Sequence, residues 1–222
     1  MRTVAVVNRK GGAGKTTLAM NLAGVLAERK RVVVVDADPQ QSAVRWGEQR
    51  QDGRLPFDVV ALDAEAGVVE FKTGVLDRAA TSAASLVIID CPPELADATM
   101  VALLMADLAL VPVGPSPLDL WAAESAVALT GDARQVRGDG RPLVALVPSR
   151  LMVGTVLARE LGPALARIGP VAPGVALRVA VAEAAIGGET VAEYAPGSPA
   201  DQEFRAVARY VADRLRGIDG AA

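Results

Sequence analysis

The chain has 222 residues with a formal net charge of −3, no histidine and one cysteine, Cys91. These totals exclude histidine-based acid/base chemistry, a disulfide framework and a cysteine-rich metal site within one chain, and they give no global pull toward nucleic acid. Hydrophobic residues make up 51% but aromatics only 3%, so the core must be built from Val, Leu, Ile and Ala, as in a parallel sheet buried on both faces.

The first apolar run, Thr3–Val7, is short and β-branched and predicts a buried strand. NRKGGAGKTT follows at once, Asn8 to Thr17. Glycines without Cβ let successive backbone N–H groups turn toward one anion, and a helix opening at the loop's end adds its positive dipole end. Lys15 can then reach the β/γ-phosphates, and the Thr16 hydroxyl can ligate Mg²⁺. Leu18, Leu22, Val25, Leu26 and Arg29 keep helical spacing, which predicts a helix over Thr16–Arg29. The strict pattern G-x-x-x-x-G-K-[ST] asks for glycine where this chain has Arg9. The loop also carries a second lysine, Lys10, which phosphate binding alone does not require.

Further strands are predicted at Arg31–Asp36, Phe57–Leu62, Ser85–Asp90, Leu108–Val113, Pro142–Val147 and Val175–Val181. Helical patterns lie between most of them, at Ala66–Ala80, Ala96–Met105, Pro117–Arg137 and Thr155–Ile168. This alternation predicts βαβ units: a single-domain α/β fold over residues 1–222, with a mainly parallel twisted sheet flanked by helices on both faces. RGDGR (Arg137 to Arg141) and GPVAPG (Gly169 to Gly174) read as surface turns. Ser198, Pro199 and Asp201 stand at the N-cap, first and third positions of a final helix. Its buried face is Phe204, Val207, Val211 and Leu215, with Arg205, Arg209 and Arg216 as a stripe on another face. No signal pattern precedes the first strand, and the apolar runs are too short to span a bilayer, so a cytoplasmic protein is expected.

Ligands of open α/β sheets bind beyond the C-terminal ends of the strands. Two strands here end in aspartate: VVVVDADPQ carries Asp36 and Asp38, and SLVIIDCPP carries Asp90. An Asp closing an apolar run, after such a loop, would stand beside Thr16 in a metal shell. For at least one member of the Asp36/Asp38 pair, the alternative is a structural role as a turn or cap residue. Cys91 reads as a small buried residue.

Together these residues resemble the ParA/MinD family of deviant P-loop ATPases, most of all its short, ParF-type members that partition plasmids. The family pattern K-G-G-x-G-K-[ST]-T matches Lys10 to Thr17, D-x-D-P-Q matches Asp36 to Gln40, and its strand-end Asp matches Asp90. VGPSPLDLWAAE (Val113 to Glu124) and TVAEYAPGSPA (Thr190 to Ala200) are similar to later segments of the short members. The resemblance implies ATP and Mg²⁺ as cofactors, bound by Lys10, Gly11, Gly12, Ala13, Gly14, Lys15, Thr16 and Thr17. It implies that Thr16 ligates the metal directly, with Asp36 and Asp90 in the outer shell, and that Asp38 orients the attacking water. Lys10 would reach across an ATP-dependent homodimer to the partner's phosphates, as an arginine finger does.

The resemblance further implies an adaptor of ParB type that stimulates slow hydrolysis, non-specific DNA binding, a nucleoid-associated location, and no N-terminal operator-binding domain. The cargo would be a plasmid, a chromosome origin or a protein body. Long relatives carry basic residues at positions matching Ala180 and Glu189; here the DNA-binding candidates are Arg178, Arg205, Arg209 and Arg216. Ser149 and Arg150, after a strand end, are candidates for the adenine. The alternatives are a MinD-like membrane-surface ATPase, for which RLRGIDGAA offers no free apolar face, and a metabolic P-loop relative. Among the latter, an iron–sulfur reductase would need more cysteines than Cys91.

Overall fold

Six apolar runs form parallel strands: β1 (Arg2–Val6), β2 (Val32–Asp36), β3 (Asp58–Ala61), β4 (Leu86–Asp90), β5 (Leu108–Val113) and β6 (Leu143–Pro148). Their order in the sheet is β3-β2-β4-β1-β5-β6. The computed structural model describes residues 1–51, 53–63, 66–93 and 97–219. The predicted helix start at Ala96 lies outside the described residues.

Successive strand residues point to opposite faces, so each strand feeds two cores. Val4, Val6, Val34 and Ile88 pack on one face, and Ala5, Val33, Val35 and Ile89 on the other. The first face is covered by α1 (Lys15–Ala27), α2 (Ser42–Glu48), α7 (Val179–Ile186), α8 (Val191–Tyr194) and α9 (Pro199–Asp219). The second is covered by α3 (Val68–Thr81), α4 (Asp97–Met105), α5 (Pro117–Arg137) and α6 (Val156–Ala166). This is the doubly covered α/β arrangement expected from the sequence. Among the described residues no helix is long and apolar enough to cross a membrane.

Helix α9 begins where its cap residues place it: the Asp201 N–H donates to Ser198 Oγ (3.3 Å), and the Asp201 carboxylate accepts from the Gly197 N–H (2.7 Å). Phe204, Val207, Val211 and Leu215 are all buried, each contributing roughly 1.5–3 kcal/mol of apolar burial. The apolar face of α9 is thereby spent on the core.

Three expectations need correction. No strand spans Val175–Val181. Ala176 makes an isolated bridge to Leu151, and α7 then begins at Val179. Pro170 and Pro173 have no N–H to give a ladder, and the alanine-rich stretch beyond favours helix. GPVAPG is not a free surface turn: it runs along the edge of β6, where Val171 bridges Leu146 and Ala172 is buried. Helix α2 was not anticipated. No side chain of its own first turn caps it; the cap is Asp36, back on β2, whose carboxylate accepts from the Ala43 and Val44 N–H groups at 2.8 and 3.1 Å.

The helices of the first face are tied together at α8. Asn21 of α1 accepts from the Val191 N–H at 2.8 Å, and the Trp46 indole of α2 donates to the Glu189 carbonyl at 3.0 Å. At Gly24 of α1 an added Cβ would lie 2.6 Å from Thr190 Oγ1, and Thr190 is fully buried. Gly24→Ala is therefore expected to cost about 1–3 kcal/mol by overpacking, although alanine is the better helix former. Gly131→Ala, in α5 where a Cβ meets nothing within 4 Å, should instead stabilise by up to ~1 kcal/mol. Denaturant unfolding of the two variants checks this; effects of the same sign would contradict the packing account.

Candidate functional site

The glycine loop lies between β1 and α1, at the centre of the sheet where strand order reverses. Gly12 and Gly14 hold positive φ of 70° and 95°, the left-handed region that L side chains rarely enter. Gly14 is also the N-cap of α1 and makes no side-chain cap bond. The first-turn N–H groups thus keep no side-chain cap, and with the helix dipole they form an anion site. A Cβ at Gly11, Gly12 or Gly14 would meet nothing within 4 Å, so the loop faces open space.

Asn8 anchors the loop. Its amide donates to the Pro112 carbonyl at the end of β5 (2.7 Å), and its oxygen accepts from the Lys10 N–H (2.8 Å). The loop, from Gly11 to Thr17, lines a cleft of about 590 Å³, a volume suited to a nucleotide. Asp38, Gln40, Pro93, Ser149 and Arg150 form its other walls, with Trp46, Val181 and Phe204 supplying apolar surface. Ser149 and Arg150 therefore stand where an adenine contact was expected. Arg150 holds a left-handed φ of 55°.

Lys15 is buried at the loop, and desolvation lowers its pKa against the pull of Asp90. Asp36 and Asp90 are in register on adjacent strands. The Thr16 hydroxyl donates to Asp90 Oδ2 at 2.6 Å, while Asp90 Oδ1 is buried with no partner. Among the described residues no cluster of three or more His, Cys, Asp or Glu could cage a metal. A hydroxyl beside a half-satisfied carboxylate fits Mg²⁺, which keeps waters and takes phosphate oxygens instead of a full protein cage. Asp36 is otherwise engaged: besides capping α2 it accepts from the Asp38 N–H at 3.1 Å. It shapes the loop that carries Asp38, whose own carboxylate accepts from the Gln40 N–H at 2.9 Å. Cys91 is buried, and desolvation raises its thiol well above the usual range, consistent with a packing residue.

The two loop lysines go different ways. Lys10 is not among the cleft residues; its Nζ lies 2.9 Å from Asp119 Oδ1. Asp119 and Asn8 were not picked out from the sequence. For Asp119 a signal existed: Ser116, Pro117 and Asp119 have the spacing of a helix start, and the Asp119 N–H donates to Ser116 Oγ.

Three of the four arginine candidates stand in ion pairs. Arg178 pairs with Glu203 (2.6 Å), Arg205 with Glu28 (2.6 Å) and Asp201 (2.8 Å), and Arg216 with Asp213. Among the described residues Arg209 is the member of the four that stands exposed without an ion pair.

Burial pushes the Asp90 carboxyl up to about 7 from its ordinary 3.8. A raised acid pKa in the folded state means a charge penalty that is complete above about pH 7, shrinks as pH falls, and vanishes below about pH 4. Asp90→Asn keeps an acceptor for Thr16 but removes the charge. In nucleotide-free protein it should raise stability at pH 8 by on the order of 2–4 kcal/mol, with the gain lost near pH 4. Unfolding curves across that range check this; a destabilised variant at pH 8 would contradict it.

Residues 4–191 match the family model described as the CobQ/CobB/MinD/ParA nucleotide binding domain. Among curated relatives, the maintenance of carboxysome distribution protein A of Halothiobacillus neapolitanus is 34% identical over 171 residues, covering 75% of this chain and 74% of that protein. The chromosome-partitioning ATPase Soj of Thermus thermophilus is 31% identical, covering 97% of each. Among solved structures, apo McdA of Cyanothece superposes with a TM-score of 0.78 at 17% identity, covering 95% of this chain and 99% of that one. With the glycine loop, the strand-end carboxylates and the parallel sheet in place, the chain belongs to the ParA/MinD family of P-loop ATPases.

Proposed function

We propose that the chain is an ATP- and Mg²⁺-dependent dimerising ATPase that positions or partitions a cargo on non-specific DNA, with slow hydrolysis stimulated by an adaptor protein. The observation that carries this reading is the divergence of the loop lysines: Lys15 is buried in its own cleft, while Lys10 stands outside that cleft on its rim. A lysine outside its own cleft can serve a nucleotide held by a second copy. The surface beside it supports such a copy: Leu118 and Trp121 on α5 are 61% and 62% exposed, and Met152 and Val153 after β6 are 59% and 75% exposed.

In this reading the backbone of Gly11 to Thr17 and the Lys15 ammonium hold the phosphates, and Thr16 with Asp90 holds Mg²⁺. Mg²⁺ would neutralise charge on the β/γ-phosphates. Asp38, at the cleft wall and braced by Asp36, orients the attacking water. Lys10 supplies a cation to the other subunit's phosphates, which makes dimerisation depend on ATP. The two relatives described above bear names for carboxysome distribution and chromosome partitioning; cargo positioning in the cytoplasm, on the nucleoid, is the function carried over to this chain. A membrane-surface role is the weaker reading, because α9 buries its apolar face in the core. For DNA, the Glu28–Arg205 pair brings the exposed Arg29, Lys30 and Arg31 toward the helix of Arg209. That cluster joins Arg178, Arg205, Arg209 and Arg216 as the proposed contact.

Lys15→Ala should abolish useful ATP binding. Lys10→Ala should bind ATP as a monomer but fail to dimerise or hydrolyse it, and analytical ultracentrifugation with and without ATP checks this. A Lys10→Ala protein that dimerises normally on ATP would overturn the proposal. Asp38→Ala should bind Mg·ATP and dimerise yet hydrolyse roughly 10²–10⁴-fold more slowly, a loss confined to the chemical step. Failure to bind nucleotide would instead mark Asp38 as a structural residue. Anisotropy on random-sequence duplexes should show ATP-dependent binding that weakens with salt, with a log–log slope falling by about 0.9 per lost contact in Arg209→Ala. Equal affinity with ATP and ADP would remove DNA from the account.

A further inference from the structure

Helix α7 has one side on the nucleotide cleft and the other on solvent. Val181, Ala182 and Ala185 line the cleft. The outer side carries Val179 and Ile186, 73% and 77% exposed, with the exposed Glu183 between them. Residues 179, 183 and 186 share one helical face, so the two apolar side chains stand about 10 Å apart along the axis with a carboxylate in the middle. The patch continues onto α8. The Tyr194 hydroxyl donates to Glu183 Oε2 at 3.2 Å, and Tyr194 is itself 44% exposed. The hydrogen bond and charge of Glu183, joined by the charge of Glu189, push that phenol up, so both carboxylates bear on the same spot. Arg178, which opens the helix, gives its guanidinium to Glu203 of α9 instead.

We infer that this outer face of α7 docks a cationic amphipathic segment of the hydrolysis-stimulating adaptor, and that docking and nucleotide are coupled through the thickness of one helix. This rests on the proposed adaptor and adds where on the chain, and by what chemistry, it binds. A nucleic-acid backbone is the wrong occupant, because Glu183 and Glu189 repel phosphates and Val179 and Ile186 gain nothing from them. A protein segment with Lys or Arg set between two apolar residues two helical turns apart matches both spacing and charge. Burial of Val179 and Ile186 supplies most of the affinity, while the solvated carboxylates mainly steer and select. The coupling follows from what α7 is tied to. Beyond its C-terminus the Glu189 carbonyl accepts from the Trp46 indole, and Trp46 lines the cleft. The Val191 N–H donates to Asn21 of α1, the helix that the phosphate loop opens. A nucleotide that moves α7 thus alters the docking face, and by linkage a docked segment alters nucleotide affinity equally.

The probe is a 14-residue helical peptide of leucine and lysine with its leucines on one side, beside a leucine–glutamate peptide of the same pattern. Fluorescence anisotropy should show the lysine peptide binding the chain loaded with Mg·ATP, and the glutamate peptide failing to bind. Val179→Ser/Ile186→Ser should weaken the lysine peptide about tenfold or more. Glu183→Lys/Glu189→Lys should weaken it roughly three- to tenfold and gain affinity for the glutamate peptide. None of the four positions lines the cleft, so ATP binding without peptide should stay unchanged. Affinity for the lysine peptide should differ about fivefold or more between ATP and ADP. Undiminished binding by both double variants, no binding to the unaltered chain, or equal affinity with both nucleotides overturns the inference. Loss of ATP-dependent duplex binding in the serine variant would give the face to DNA and overturn it too. Hydrolysis rates separate this from the adaptor reading. A peptide that docks as described but leaves hydrolysis unchanged supports the face and counts against stimulation. A peptide that speeds hydrolysis equally in the unaltered chain and both variants keeps stimulation and overturns the face.

Discussion

A buried carboxylate with one oxygen unpaired governs this molecule. Asp90 ends a central strand, gives one oxygen to Thr16, and leaves the other without a partner in the interior. Such a group is unfavourable on its own, and the Thr16 hydroxyl and the Lys15 charge offset its burial only in part. The space above the glycine loop is built for the opposite charge pattern: bare first-turn N–H groups, a buried Lys15, and glycines in left-handed conformation gather negative charge. A phosphate with its cation answers both needs at once. The stability lost at Asp90 is thus a sign of function rather than of poor packing.

The rest of the fold keeps that arrangement in place. Strands β2 and β4 set Asp36 and Asp90 side by side, and Asp36 spends its carboxylate on the backbone of the Asp38 loop and of α2. Helix α2 is in turn bolted to the turn before α8 through Trp46, and α1 to α8 through Asn21 and the close approach at Gly24. The phosphate loop and the carboxylate loop therefore share one rigid backing. On the far side of the cleft, Asn8 fixes the loop to β5, and Asp119 gathers Lys10 and Arg150.

What could be read in the sequence was local. Strands such as VVVVD and LVIID are continuous apolar runs closed by aspartate, and their burial follows from composition alone. The glycine loop, Lys15, Thr16, Asp38 and Asp90 were legible because their spacing along the chain is itself the constraint. The misses have different causes, some local and some distant in sequence. Asp36 caps a helix seven and eight residues on from a strand end, so α2 carried no local start signal. Val175–Val181 has strand composition, but prolines upstream and alanines downstream limit it to a single bridge. The arginine stripe on α9 looked free in one dimension, whereas Glu28 lies 177 residues from the arginine that it neutralises.

In the proposed reading, the cleft of one subunit holds the phosphates while its Lys10 serves another. The most direct measurement mixes two variants that should each be inactive. A Lys10→Ala subunit keeps Asp38 but receives its missing cation only from a partner, and an Asp38→Ala subunit keeps Lys10. If Lys10 acts in trans, the mixture should form one complete site per heterodimer and hydrolyse ATP at a rate that neither protein reaches alone. If the mixture shows no more than the average of the two separate activities, Lys10 serves its own subunit and the account of the site is wrong.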